Sequence, residues 1–219
     1  MILNKRQHSA AISKKSLIAY TNPDSVISDQ FRTIRANLTF LTERGENHVF
    51  LITSPGMKEG KSTTTANLAV CMAQQKKERV LLIDAHLKEP SIHSIFDIPN
   101  EAGLTNMLRY DVKLEEVVYK TELETLDILT SGVKSFNPAE LLGNEIMTEV
   151  LKKAANIYDI VLIDSPSLQC SETRILANQC DGVVLVLRRD KTERKQAIEA
   201  GRVLELAHAK LVGAIMNEA

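Results

Sequence analysis

The run Ser54-Pro55-Gly56-Met57-Lys58-Glu59-Gly60-Lys61-Ser62-Thr63 is where this chain concentrates residue types that could do chemistry. It follows an apolar stretch, Val49 to Ile52, and opens an apolar-rich helical stretch, Ser62 to Gln74. A strand, a glycine loop and a helix in that order is the context in which a phosphate-binding loop belongs. Successive backbone N–H groups and the positive end of the helix then surround an anion. Lys61 is long enough to reach terminal phosphates, Ser62 offers a hydroxyl to Mg²⁺, and Gly60 lets the backbone approach closely. The strict G-x-x-x-x-G-K-[ST] spacing asks for glycine at 55, where the chain has proline, and Gly56 comes one residue late. A chance Gly-Lys-Ser at a helix start is the bland alternative; the flanking pattern favours nucleoside triphosphate binding.

Such a loop needs acids at the C-terminal ends of neighbouring parallel strands to hold Mg²⁺. Val80-Leu81-Leu82-Ile83-Asp84 and Ile160-Val161-Leu162-Ile163-Asp164 end that way. An aspartate closing four apolar residues is costly to bury unless metal or charge compensates it. A strand-end cap would explain either acid alone; the pair with the loop points to a metal site.

These residues need a scaffold. Apolar, β-rich runs occur at 49–53, 79–84, 125–129, 159–164, 182–187 and 211–216, with helical stretches at 61–77, 138–157, 172–179 and 193–208. Continuous apolar strands separated by helices predict an α/β fold, a doubly wound and mainly parallel sheet with helices on both faces. Ile27, Phe31, Ile34, Leu38 and Leu41 form a helical stripe, predicting a helix over about 25–42 with Asp29, Arg32 and Arg35 beside it. Lys5, Arg6, Lys14 and Lys15 precede the first acid, Asp24. Residues 1–22 therefore read as a basic N-terminal arm, solvated or in weak contact with acidic lipid or a partner. Residues 23–219 read as a single domain, with no repeat and no linker.

Composition excludes several classes. A chain of 219 residues, 44% apolar and 25% charged, fills one sizeable α/β domain. Its net charge of −1 provides no field for nucleic acid. Cys71, Cys170 and Cys180 lie far apart with no C-x-x-C pair, which argues against zinc and fits reduced thiols. No apolar run approaches the roughly 20 residues that span a bilayer, and no signal peptide opens the chain. A cytoplasmic protein is expected.

Beyond the loop and the two acids, further stretches carry a pattern. They are Asp29-Gln30-Phe31-Arg32-Thr33-Ile34-Arg35, Gly103-Leu104-Thr105-Asn106-Met107-Leu108, Leu129-Thr130-Ser131-Gly132, Asn137-Pro138-Ala139-Glu140-Leu141-Leu142 and Gly213-Ala214-Ile215-Met216-Asn217. In this order, from about residue 20 to the end, the chain resembles the bacterial tyrosine kinases (BY-kinases). These are P-loop NTPases of the deviant-Walker type that serve exopolysaccharide or capsule biosynthesis. The resemblance implies ATP and Mg²⁺ as cofactors, and nucleotide contacts from Ser54, Pro55, Gly56, Met57, Lys58, Glu59, Gly60, Lys61, Ser62, Thr63 and Asn217. It implies Lys61, Asp84 and Asp164 as catalytic residues, with Ser62, Asp84 and Asp164 on the metal and Asp84 a candidate base for the tyrosine hydroxyl. A strand-end turn cap explains Asn217 equally well. Asp29, Arg32 and Arg35 match a Glu-x-x-Arg-x-x-Arg motif that assembles subunits into a ring; surface charge on an amphipathic helix is the plain alternative. The resemblance further implies protein tyrosine substrates, and the balanced charge implies no nucleic acid partner. Its partner would be a separate transmembrane activator, a polysaccharide co-polymerase subunit, which holds the protein at the inner membrane face.

Three departures bear on activity. The family's Asp-x-Asp-x-Arg reads Asp84-Ala85-His86-Leu87-Lys88 here. A hard Mg²⁺ ion prefers oxygen, so His86 either acts as a base or fills the space with reduced activity, and Lys88 loses a bidentate fork. Lys58, inside the loop, either helps hold a phosphate or faces water. Family members commonly end in a tyrosine-rich tail, whereas this sequence ends at Asn217-Glu218-Ala219 with tyrosines at 20, 110, 119 and 158; a tail is either missing from this sequence or absent. ATP-dependent protein-tyrosine phosphoryl transfer is the leading expectation. The rivals are a catalytically weak nucleotide-binding regulatory subunit of a membrane polysaccharide co-polymerase and a partitioning-type ATPase.

Overall fold

Side chains in a strand point alternately to opposite faces, so a strand that is apolar throughout must be covered on both. The computed structural model describes residues 16–42, 49–75, 78–110 and 112–218. Its strands are β1 (Val49–Thr53), β2 (Val80–Asp84), β3 (Tyr119–Lys120), β4 (Leu126–Leu129), β5 (Ile160–Asp164), β6 (Gly182–Arg188) and β7 (Leu211–Asn217). They form one sheet in the order β3-β4-β2-β5-β1-β6-β7. All pairs are parallel except β3–β4. The expected doubly wound α/β fold is the one adopted.

Alternation sorts the strand residues into two cores. Phe50, Ile52, Leu82 and Leu162 face one side, and Leu51, Leu81, Ile83 and Ile163 the other. Over the first side lie α1 (Ile18–Thr21), α2 (Val26–Thr42), α3 (Lys61–Ala73) and α4 (Ile92–Ile95), anchored by Ala19, Leu38, Leu68 and Ile92. Over the second lie α5 (Leu104–Arg109), α6 (Leu114–Val117), α7 (Pro138–Leu142), α8 (Glu145–Ile157), α9 (Ser171–Ala177) and α10 (Arg194–Leu206). Leu104, Leu114, Leu142, Met147, Leu176 and Leu204 seat them. Each fully buried Leu or Ile contributes about 1.5–3 kcal/mol, so the two-sided core dominates stability. α3 is buried almost all round, since the sheet lies beneath it and α1 and α2 pack on top.

Several elements differ from the sequence reading. The expected helix 138–157 is broken at Gly143-Asn144, where Asn144 caps α8 by accepting from the Ile146 N–H at 3.3 Å. β3, α4, α5 and α6 are too short for a periodic pattern to reveal. β7 forms one edge of the sheet, with Leu211 and Met216 exposed. Most of the expected basic arm lies outside the described residues. Residues 17–21, assigned to it, are packed instead: Leu17 and Ala19 are buried, and the Ala19 N–H donates to Asn67 Oδ1 at 2.9 Å. The α2 stripe is only partly covered, with Leu38 buried and Ile27 exposed, because α2 packs chiefly on α1 and α3 rather than on the sheet. No helix among the described residues is long and apolar enough to cross a membrane.

A buried polar cluster closes the opposite end of the sheet. Asp127, near the start of β4, accepts from Lys120 Nζ at 2.5 Å and from the Tyr158 hydroxyl at 2.6 Å. The Arg79 guanidinium lies 5.1 Å from the Tyr158 ring centroid. Tyr158→Phe removes one charge-assisted donor from a buried carboxylate, at a cost of about 1–2 kcal/mol. The expected readout is a lower urea midpoint with unchanged slope; an unchanged midpoint would leave the cluster energetically idle.

Candidate functional site

β1 lies between β5 and β6, and the chain leaves it to form β2 beyond β5, so the sheet reverses its winding there. At such a reversal the strand ends leave a crevice. Three segments meet at it. The loop after β1 carries residues 54–60, β2 ends at Asp84, and β5 ends at Asp164. In register Asp84 stands opposite Asp164, and Asp164 opposite Ile52. Alternation from Ile83 and Ile163 turns both carboxylates to the α3 side.

The loop is held in a form that proline at 55 tolerates. Its left-handed residues are Lys58, with φ 56°, and Gly60, with φ 85°, so no glycine is required at 55. Gly60 precedes Lys61, the first residue of α3. The carbonyls of Met57 and Lys58 turn outward, accepting from Lys191 Nζ at 2.7 and 3.3 Å, and Lys58 O also accepts from Arg188 at 3.2 Å.

Glu59 places a carboxyl group within this loop, and it is buried. Its Oε2 accepts from the Gly56 N–H at 2.8 Å, and its Oε1 accepts from the Thr192 hydroxyl. Asn217, at the end of β7, donates from Nδ2 to Glu59 O at 3.0 Å. A Cβ added to Gly60 would stand 2.1 Å from that same Nδ2. Asn217 therefore braces the loop from outside. Gly60→Ala must displace Asn217 and strain a left-handed residue, costing roughly 1–3 kcal/mol in loop geometry. MgADP affinity, measured by calorimetry, is expected to fall by about tenfold or more; unchanged affinity would show that the loop adjusts freely.

Lys61 is buried to 8% exposure. Burial lowers its pKa, while the charges of Asp164 and Glu59 act the other way. Asp164 is fully buried and pushed up to about 8, by burial first and then by the charge of Asp84; hydrogen bonding to Ser62 and the charge of Lys61 oppose this. The Thr65 hydroxyl stands 3.5 Å from Asp164 Oδ1, and Asp164 Oδ2 is buried with no hydrogen-bond partner. Asp84, also fully buried, is raised to about 6 by burial. Its Oδ1 accepts from the His86 N–H, and its Oδ2 from those of Ser91 and Ile92, each at 3.0 Å. A carboxylate has about four lone-pair positions. Asp84 thus ties its loop to the start of α4 and keeps one acceptor position.

Lys61, Ser62, Asp84 and Asp164 are therefore together. His86 is half-buried, and burial followed by the charge of Lys61 moves its imidazole below the ordinary value. Lys58 is exposed, as the solvent-facing reading has it. Lys88 pairs at 3.5 Å with Glu172, a buried acid on α9 that the sequence reading did not single out. Thr192 and Lys191 were also not anticipated, since nothing local in Asp190-Lys191-Thr192 signals a loop contact. On α2, Arg32 pairs with Asp29 and donates to Pro23 O at 2.6 Å, while Arg35 donates to Cys71 O at 3.1 Å.

The donor set suits a hard cation: a hydroxyl at Ser62 and an orphaned carboxylate oxygen at Asp164. Among the described residues no group of three His, Cys, Asp or Glu is placed to hold a metal ion alone. Phosphate oxygens would have to complete its shell.

Known proteins share this frame. A family model described as an AAA domain matches residues 56–195, a span that holds most of the loop and both acids. The tyrosine-protein kinase YwqD of Bacillus subtilis (strain 168) is 43% identical over 213 residues, covering 97% of this chain and 90% of YwqD. The kinase domain of the Escherichia coli tyrosine kinase ETK superposes with a TM-score of 0.89 at 28% identity, over 100% of this chain and 84% of that one. The chimerical protein CapA2B2 superposes with a TM-score of 0.87 at 30% identity, over 96% of this chain and 93% of the chimera.

Proposed function

The chain belongs to the bacterial tyrosine-kinase (BY-kinase) family, and from that premise we propose that it moves the γ-phosphoryl group of ATP to tyrosine hydroxyls in the control of exopolysaccharide or capsule production. The supporting observation is the meeting of the 54–60 loop with two buried strand-end acids, one of which has an oxygen without a partner. The loop N–H groups would hold the β- and γ-phosphates, and Lys61 would neutralise charge that develops on the transferring group. Ser62 and Asp164 Oδ2 would hold Mg²⁺. That ion would supply positive charge against the negative charge of the phosphates. The remaining acceptor position on Asp84 Oδ1 suits one incoming donor, the tyrosine hydroxyl, whose pKa of about 10 calls for a base at neutral pH.

Residues 23–219, with α1 packed onto them, serve in this reading as one kinase domain with α2 its assembly element. Within one chain Asp29 and Arg32 pair with each other. Assembly into a ring would exchange such contacts for equivalent ones on a neighbour, giving specificity more than energy. A membrane co-polymerase chain would supply the activator and hold the kinase at the inner membrane face.

A second reading, a regulatory nucleotide-binding subunit, rests on His86. An imidazole at this position leaves the site one carboxylate short of the family pattern. Incubation with γ-³²P-ATP, Mg²⁺, a Glu–Tyr copolymer and the activator's cytoplasmic segment separates the two. Label on the copolymer is expected; nucleotide-dependent assembly without label would leave the regulatory reading.

A further inference from the structure

The sequence contains four tyrosines, and their surroundings differ sharply. Tyr158 is buried with its hydroxyl committed to Asp127, and burial followed by that hydrogen bond lifts its pKa far above the phenol range. The Tyr20 hydroxyl donates to Glu122 Oε2 at 2.8 Å, a bond that raises its pKa. Tyr119 is half-buried on β3, and burial raises its pKa too. Tyr110 is 63% exposed, and its hydroxyl makes no hydrogen bond among the described residues. Its backbone is extended, with φ −131° and ψ 150°, where the chain leaves the C-terminus of α5.

Resting on the kinase reading above, the geometry points to Tyr110 as a phosphoacceptor site, modified by the active site of a second copy of this chain. A phosphotransfer site must take a tyrosine whose ring is free to leave its own surface, and each of the others would first have to give up a contact or its cover. The intermolecular route follows from placement. α5 packs on the sheet face of Leu81 and Ile83, whereas Asp84 and Asp164 point to the other face. β4, whose end anchors α5 through the Leu104 N–H donating to Thr130 O at 2.8 Å, is separated from β1 by β2 and β5. Three strand spacings put β1 roughly 14 Å away across the sheet. Tyr110 cannot fold back to its own phosphate loop without unpacking α5. In the step itself, the Tyr110 phenolic oxygen bonds to Pγ as the bond from Pγ to the β–γ bridging oxygen breaks. ADP leaves, and the phenol proton passes to Asp84 and then to water.

The test mixes wild-type protein as donor with Lys61→Met protein as acceptor, adds MgATP and the activator's cytoplasmic segment, and maps phosphopeptides of the tagged acceptor by mass spectrometry. Phosphate on Tyr110 of the Lys61→Met chain is expected, rising with donor concentration and lost in Lys61→Met/Tyr110→Phe. Tyr110→Phe alone should phosphorylate a Glu–Tyr copolymer at the wild-type rate, which shows that it folds and that its site is intact. Copolymer labelling with Tyr110 unmodified, or modification at positions 20, 119 or 158 instead, overturns the assignment and leaves the kinase reading standing. Failure to label either copolymer or chain removes the kinase reading and this assignment with it.

Discussion

Lys61→Met is expected to reduce tyrosine phosphorylation roughly 10³-fold or more, while the protein stays folded. The ammonium is buried beside Asp164 and Glu59, in a setting that already disfavours its charge. Methionine keeps most of the stem's volume and spares that desolvation, so the melting temperature should hold. In the proposed mechanism the phosphates lose their buried cation, and Asp164 loses the charge that helps it ionise. Both losses fall on the transition state, where negative charge spreads over the transferring group. Single-turnover phosphorylation and a thermal melt read the two effects separately. Unimpaired transfer in a well-folded Lys61→Met protein would sink the mechanism.

Asp164→Asn should produce opposite changes in activity and stability. Turnover is expected to fall roughly 10²–10³-fold, because the orphaned oxygen proposed to hold Mg²⁺ becomes part of a neutral amide. The nucleotide-free protein should gain about 1–3 kcal/mol, since a buried carboxylate facing Asp84 gives way to a group that can donate to it. That corresponds to several degrees in melting temperature. The sign with pH follows from the direction of the shift. The folded-state pKa of Asp164, about 8, lies above its unfolded value. Its contribution to stability is therefore complete below the unfolded pKa and is lost as pH rises through about 8. The variant's advantage should widen between pH 6 and 9. An advantage that shrinks over that range would contradict the burial and pairing assigned to Asp164.

Sequence and structure agree where the signal is local. A glycine-rich loop between an apolar run and a helix, and an aspartate closing each of two apolar runs, can be read within about ten residues at a time. Strand positions therefore came out within a residue or so, as at β1 and β5. Shorter elements carried too little pattern: two residues of β3 or four of α4 show no period. The proline at 55 looked like a defect only because the pattern counts glycines; the backbone places its left-handed turns at Lys58 and Gly60.

Residue order alone was enough for the class of fold, the glycine-rich loop and the strand-end acids beside it, because propensity, periodicity and glycine placement act between near neighbours. Folding in three dimensions decided the tasks of individual side chains. Thr192 meets Glu59 across 133 positions and Asn217 reaches it across 158, while Asp84 spends three of its acceptor positions on nearby N–H groups. Such partners are chosen by which strands lie side by side and by the need to satisfy every polar atom that burial cuts off from water.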